Sequence, residues 1–390
     1  MNYKTNAILL VIIEALVLAN FAASTLVVFL KDNGISISQI LLLQGIGSII
    51  IILLEIPTGI FADVYGRKSS IIFGSLMYIF AGFLMIFANS FTTFFISLAI
   101  SACAIVFFSG ALTAIIYDSL KQSGVKNISK FFSYANIFKA IALGVATILG
   151  GIIAKASYRY NFFIMVFLGF IALFISFIIK EPSYKKKKTT MRKESHNLRK
   201  TIKFILNSDP LLLLMGMTSV LGNLIIIVIV YMQPLMREVG FDIAQFGFIF
   251  AMLAVFQAIG GRVGCFLEKK FKAKNFALIV VYGIAFSYAI LAVSFTTTLF
   301  VLSAAILSFF AGMFVPVWLV YQNKFIPSRK RATINSIGSL INSGVFVFFA
   351  PIFGLFTEVV SMRFSILLAS IFSLLVVPLL ARKLSNKLSS

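Results

Sequence analysis

Twelve apolar stretches, each long enough to cross a bilayer as a helix, constrain this 390-residue chain more than any other feature. The hydrocarbon core of a membrane takes about 20 apolar residues in helical form, and the runs fall at roughly 7–30, 38–62, 69–88, 94–117, 131–154, 160–180, 210–232, 243–267, 276–295, 298–322, 332–357 and 364–381. Short polar joints such as Lys31-Asp32-Asn33-Gly34 and Asn89-Ser90 separate them. Within lipid each backbone polar group must be satisfied inside its own segment, so helices are the natural reading. Charged residues make up only 12% of the chain, against about 25% in a soluble domain, too few to coat a water-soluble globule of this size. The expected fold class is therefore an all-α polytopic membrane protein with twelve transmembrane helices. The first run has a weakly basic start, carries Glu14 and lacks a clear cleavage site, so it reads as a retained helix rather than a signal peptide.

The formal net charge of +22 would ordinarily suggest nucleic acid. Its distribution argues otherwise. An even number of spans puts both termini on one side. On that side lie Lys4, Arg67, Lys68, Lys121, Lys126, Lys130, ten basic residues between Lys180 and Lys203, and Lys269, Lys270, Lys272 and Lys274. Lys324, Arg329, Lys330, Arg331, Arg382, Lys383 and Lys387 bring the count to 27 of 34. Only Lys31, Lys155, Arg159, Arg237 and Arg363 fall on the other side. This bias predicts cytoplasmic N- and C-termini by the positive-inside rule, with no nucleic-acid partner.

The chain divides into an N-terminal six-helix half at 1–180, a basic cytoplasmic linker at 181–209, and a C-terminal six-helix half with a short cytoplasmic tail at 210–390. The linker opens with Glu181-Pro182, carries Lys185-Lys186-Lys187-Lys188 and holds the single histidine, His196. It reads as a solvated, topology-enforcing joint that could also meet anionic headgroups. The halves echo each other weakly. Gly59-Ile-Phe-Ala-Asp63 ends span 2 and Gly264-Cys-Phe-Leu-Glu268 ends span 8, while Asn20 and Asn223 occupy like depths in spans 1 and 7. Such internal repeats are a transporter signature.

Enzyme chemistry has little to stand on. Neither a Gly-x-x-x-x-Gly-Lys-Ser/Thr phosphate loop nor a His-Glu-x-x-His pair occurs. One His and two Cys (Cys103 and Cys265) make a metal site unexpected, and the thiols read as buried rather than disulfide-bonded. No cofactor is expected beyond a coupling proton.

The most informative motif is Gly59-Ile-Phe-Ala-Asp63-Val-Tyr-Gly66-Arg67-Lys68, between spans 2 and 3. It resembles the signature loop of the major facilitator superfamily, in the family's place and on the family's side of the membrane. Ser109-Gly110, Tyr117-Asp118-Ser119-Leu120 and Arg331-Ala332-Thr333 resemble stretches of a bacterial subgroup. On the residues themselves, Gly59 would let another helix approach and Gly66 would permit a tight turn. The resemblance implies that Asp63 faces the start of span 11 near Arg331 and Thr333. Arg67 needs an anionic partner, and Asp118, at the same end of span 4, is the best candidate. These contacts would latch the halves in the outward-open state. The resemblance also implies a bacterial plasma membrane. Two departures weaken the match. Ala111, Leu112 and Thr113 stand where the subgroup carries acidic residues, and the span 5 antiporter motif is met only by Gly144, Gly150 and Gly151.

Ionisable groups inside spans are costly and usually functional. Glu14, Glu55 and Lys139 lie at similar depth, roughly 10–12 Å from the basic ends of their helices, so a Glu–Lys pair or triad that binds the coupling proton is one reading and a structural ion pair the other. In the family arrangement spans 1, 4, 7 and 10 line a cavity, which makes Asn20, Ser101, Asn223, Trp318 and Tyr321 solute-binding candidates. The expected function is proton-coupled efflux of a small amphiphilic solute by a monomer. A nutrient importer or uniporter is the same-class alternative, and a non-transporting receptor or sensor the alternative of another class.

Overall fold

The computed structural model describes residues 2–182, 201, 203–271, 273–324, 326 and 331–388, without the side chains of 56, 210, 273–274, 315–324, 331–333, 335–336 and 376–388. The described residues form helices and no strands. In order they are α1 (Tyr3–Leu18), α2 (Leu26–Asp32), α3 (Ile37–Tyr65), α4 (Arg67–Phe87), α5 (Phe91–Gln122), α6 (Ile128–Ala154) and α7 (Tyr158–Ile178). There follow α8 (Asp209–Glu238), α9 (Ile243–Leu267), α10 (Ala273–Ala292), α11 (Thr297–Lys324), α12 (Arg331–Val359) and α13 (Met362–Leu388). Ten of these are long and apolar enough to cross a membrane. Span 1 and span 12 complete the twelve: span 1 is divided into α1 and α2, and span 12 is α13, apolar over Met362–Leu375. Spans 2 to 12 thus correspond to α3 to α13.

The division of span 1 departs from the single helix expected over 7–30. The chain leaves the helix at Ala19 and re-enters it at Leu26. Several of the released backbone N–H groups find local partners, those of Ala23 and Thr25 on the carbonyls of Asn20 and Ala22. The Ala22 N–H donates to Asn20 Oδ1 at 3.0 Å, a local turn typical of asparagine. The buried Ser24 hydroxyl donates to the Thr147 carbonyl at 3.3 Å. The Phe21 carbonyl rests where a Cβ on Gly150 would stand, so only glycine admits this contact with span 5.

Cα packing sorts the chain into two compact units. One comprises Met1–Ile35, Ile46–Lys188 and Asp242–Phe250; the other comprises Ser36–Gly45, Thr189–Phe241 and Ala251–Ser390. They follow the six-plus-six division except that each takes in the opening segment of a helix from the other half. In the first unit Ala7, Leu10 and Ile13 of α1 pack with Ile71, Phe108, Ile115 and Ala172. Phe163, Phe167, Phe170, Phe174 and Phe177 recur along one face of α7 and are all exposed, as expected of a lipid-facing stripe.

The two halves repeat more of their detail than the sequence echo suggested. Lys31-Asp32-Asn33-Gly34 closes span 1 and Arg237-Glu238-Val239-Gly240 closes span 7, each glycine at positive φ (80° and 95°). Ser157 and Ser361 precede Arg159 and Arg363 at the starts of spans 6 and 12. Arg159 donates to the carbonyls of Ile86 and Ala88 at the end of span 3. Arg363 donates to those of Ala292 and Ser294, at 3.2 and 2.6 Å, at the end of span 9. Each guanidinium thereby satisfies helix C-terminal carbonyls and complements the negative end of the dipole. Arg363 also pairs with Glu238 at 3.0 Å, while Asp32, in the corresponding place, accepts from the Tyr158 hydroxyl at 3.1 Å.

Candidate functional site

The Gly59–Lys68 motif forms a corner with a single non-helical residue. α3 runs through Tyr65 and α4 starts at Arg67, leaving Gly66 at φ 98° and ψ 149°. That conformation is essentially restricted to glycine. Gly66 therefore makes the tight turn expected of it. Among the described residues, a Cβ on Gly59 would meet nothing within 4 Å, so the close helix approach expected there is not seen among them.

Arg67 pairs with Asp118 at 2.6 Å, joining the start of span 3 to the end of span 4. Lys68 donates from Nζ to the Phe177 carbonyl at 2.7 Å, adding the end of span 6. Sequence reasoning missed a third tie. Glu181 accepts from the Arg67 N–H at 2.6 Å and from the Lys68 N–H at 3.3 Å, one carboxylate oxygen to each. A carboxylate on the first free N–H groups of a helix is favoured by charge-assisted hydrogen bonds and by the helix dipole. A Cβ at Gly66 would stand 2.6 Å from Glu181 Oε2, so the glycine also clears space for its capping partner. In sequence Glu181 is simply the first residue of the linker, and nothing in its neighbourhood points to residue 67. Asn6 was likewise missed. It is fully buried and ties span 1 to Ser119 and to both the N–H and the carbonyl of Lys180, at 2.8–2.9 Å. Asp63 is half-buried on α3. The side chains of Arg331 and Thr333, its expected neighbours, lie outside the described residues.

Glu14 and Lys139 meet. Lys139 Nζ lies 2.8 Å from Glu14 Oε1, with the two side chains 15% and 21% exposed respectively, so the pair is largely withdrawn from the surface. It joins spans 1 and 5 five residues before the span 1 break. Glu55 is exposed on α3 and takes no part, so the structure forms a pair rather than a triad.

The cavity candidates separate. Asn20 is exposed within the span 1 break, and Ser101 is half-buried in span 4. Asn223 is fully buried and donates to the Asn342 carbonyl at 2.9 Å, tying span 7 to span 11 instead of lining open space. The side chains of Trp318 and Tyr321 lie outside the described residues. Of the span 5 glycines, Gly150 and Gly151 sit in close helix contacts, Gly151 with a Cβ position 2.8 Å from the Gly247 nitrogen, whereas a Cβ on Gly144 would meet nothing within 4 Å among the described residues. Cys103 is half-buried and Cys265 exposed, both free, so the buried reading of Cys265 is corrected.

A helical bundle of this length, with repeated halves and a Gly-Arg-Lys corner held by one acidic residue of span 4 and another just beyond span 6, defines a polytopic membrane protein of the transporter type. The Major Facilitator Superfamily model matches residues 8–232 and 212–389, and the chain belongs to that family. Solved structures similar to it include the nucleoside transporter NupG (14% identity, TM-score 0.77, 100% of each chain covered). A bacterial homologue of the human lysosomal transporter Spinster, inward-facing and occupied, is 15% identical, with a TM-score of 0.74 over 97% of this chain and 96% of that one. A D-xylose–proton symporter is also 15% identical, with a TM-score of 0.71 over 95% and 97%. At such identities the likeness establishes the fold alone. No curated protein matches the sequence.

Proposed function

We propose that the chain is a proton-coupled secondary transporter that exports a small amphiphilic solute across a bacterial plasma membrane. It works as a monomer by alternating access, with both termini in the cytoplasm. The 27-to-5 division of basic residues supports the orientation. The observation that carries the coupling is the Glu14–Lys139 pair at 2.8 Å between spans 1 and 5. An ion pair that joins two spans can open or close as those spans move, so a proton taken up by Glu14 would be linked to conformation. The Arg67–Asp118 and Glu181 contacts support a conformational role for the corner, with Asp63 as the acid that would face the start of span 11.

The test begins with a thermal-shift ligand screen on the purified protein, followed by counterflow of any hit in proteoliposomes. Flux should follow an imposed pH gradient, and Glu14→Gln should abolish that dependence while counterflow persists. Flux indifferent to the gradient in the parent protein sinks proton coupling. Asp63→Asn should insert normally and slow exchange, and Asn20→Ala should weaken ligand affinity.

A further inference from the structure

At the end of the bundle away from the lysine-rich loops, span 2 begins with a cap that its own sequence only partly provides. Ser36 and Gln39 form a local box: the Ser36 N–H donates to Gln39 Oε1 at 3.0 Å and the Gln39 N–H to Ser36 Oγ at 3.3 Å. The Ser38 N–H goes elsewhere, to Glu358 Oε1 at 3.3 Å, and the Ser38 hydroxyl donates to the same oxygen. Glu358 stands in the last turn of span 11, 320 residues along the chain. One turn earlier, a Cβ on Gly354 would lie 2.6 Å from the Ser38 Cα, so the two backbones are in close contact here.

The repeat supplies the comparison. Span 8 begins with Asp242 and Gln245 in the places of Ser36 and Gln39, and the Asp242 N–H donates to Gln245 Oε1 at 2.9 Å. The next N–H but one, that of Ala244, donates to Asp242 Oδ1 at 2.9 Å. Span 8 therefore carries its own carboxylate for the N–H that span 2 leaves to a carboxylate of span 11. A helix N-terminus gains from such a group wherever it comes from, but a cap from another helix lasts only while the two helices stay together. The packing units make the same point: residues 36–45 group with span 11, while the same unbroken helix from Ile46 onward groups with the first half.

We propose that Glu358 is a releasable cap that holds the start of span 2 on span 11 and is given up in each transport cycle. This rests on the alternating-access reading above, in which span 2 travels with the first half. The charge of the cap fixes the state in which it is favourable, so residue 358 sets the balance between held and released arrangements.

The experiment measures distance and needs no solute. Spin labels are placed at Leu42 and Val360 of the full chain in nanodiscs, with Cys103→Ser and Cys265→Ser as background. Glu358→Ala should shift the distance distribution outward, raising the ratio of released to held molecules about fivefold, as loss of a helix cap implies. Ser36→Asp, which gives span 2 the self-supplied cap of span 8, should act in the same direction. Ser36→Asp combined with Glu358→Ala should stay released while recovering thermal stability, which separates release from misfolding. Distributions for Glu358→Ala and for the double variant that match the parent overturn the proposal. Release in a protein later shown to carry no solute would leave the cap standing and overturn only the transport reading.

Discussion

Replacing Gly66 with alanine tests the account of the corner most directly. Two costs arise together. The φ of 98° with ψ 149° places alanine in a region open essentially to glycine, at about 1–3 kcal/mol. The new methyl would also stand 2.6 Å from Glu181 Oε2, which must move and uncap Arg67 and Lys68. Loss of a helix N-cap costs about 0.5–2 kcal/mol. The sum is about 1.5–5 kcal/mol for Gly66→Ala, and only the capping part for Glu181→Ala. Because Gly66→Ala already displaces the carboxylate, the double variant should be no less stable than Gly66→Ala by more than about 0.5 kcal/mol. Unfolding in mixed micelles of rising SDS content gives the four midpoints of this cycle. Full additivity of the two substitutions, or a Gly66→Ala no weaker than Glu181→Ala, would refute the reasoning.

Further outcomes follow from other contacts. Breaking the Glu14–Lys139 pair from one side leaves a charge in an apolar setting, so Glu14→Gln/Lys139→Met should melt above Lys139→Met alone in a detergent thermal ramp. Arg159→Lys and Arg363→Lys should each lower the melting temperature almost as far as alanine does, because an ammonium cannot reproduce the two-nitrogen grip of Arg159 on two carbonyls, or of Arg363 on two carbonyls through Nη1 and on Glu238 through Nε. The Asp242 carboxyl is held below its ordinary value, first by the Ala244 N–H and then by Lys155. A lowered folded-state value means that its contribution is present above the unfolded value near 4 and is lost as pH falls through the folded one. A carbonyl-carbon NMR titration of Asp242 should therefore show a midpoint below 3.8 that rises in Lys155→Ala but does not recover fully.

The corner at Gly66 was legible because its chemistry is local. A glycine at a sharp turn, flanked by basic residues and followed by a new apolar run, can be recognised from ten consecutive residues. Asp118 could be assigned to Arg67 because both lie at one end of neighbouring spans. Glu181 and Asn6 were not legible. Each acts through partners more than 110 residues away, and a glutamate beside a lysine run looks like any solvated linker residue. Asn223 shows the converse. An asparagine mid-span reads as a solute ligand, yet its amide can equally satisfy a carbonyl on the next helix, and only packing distinguishes the two.

Hydropathy, charge bias and the even number of runs determined the membrane class, the helical fold and the pairing of halves, because these follow from the cost of placing polar groups in hydrocarbon. They act on each segment separately and can be counted along the chain. The break in span 1 was decided by tertiary structure: the Phe21 carbonyl stands where a Cβ on Gly150 would be and the buried Ser24 hydroxyl donates to the Thr147 carbonyl, so the segment is seated on a neighbouring helix that its own sequence does not name. The cap on span 2 belongs to the same class, since its carboxylate arrives from residue 358. Such features depend on which backbones come within hydrogen-bonding distance, and apolar periodicity alone carries no record of that.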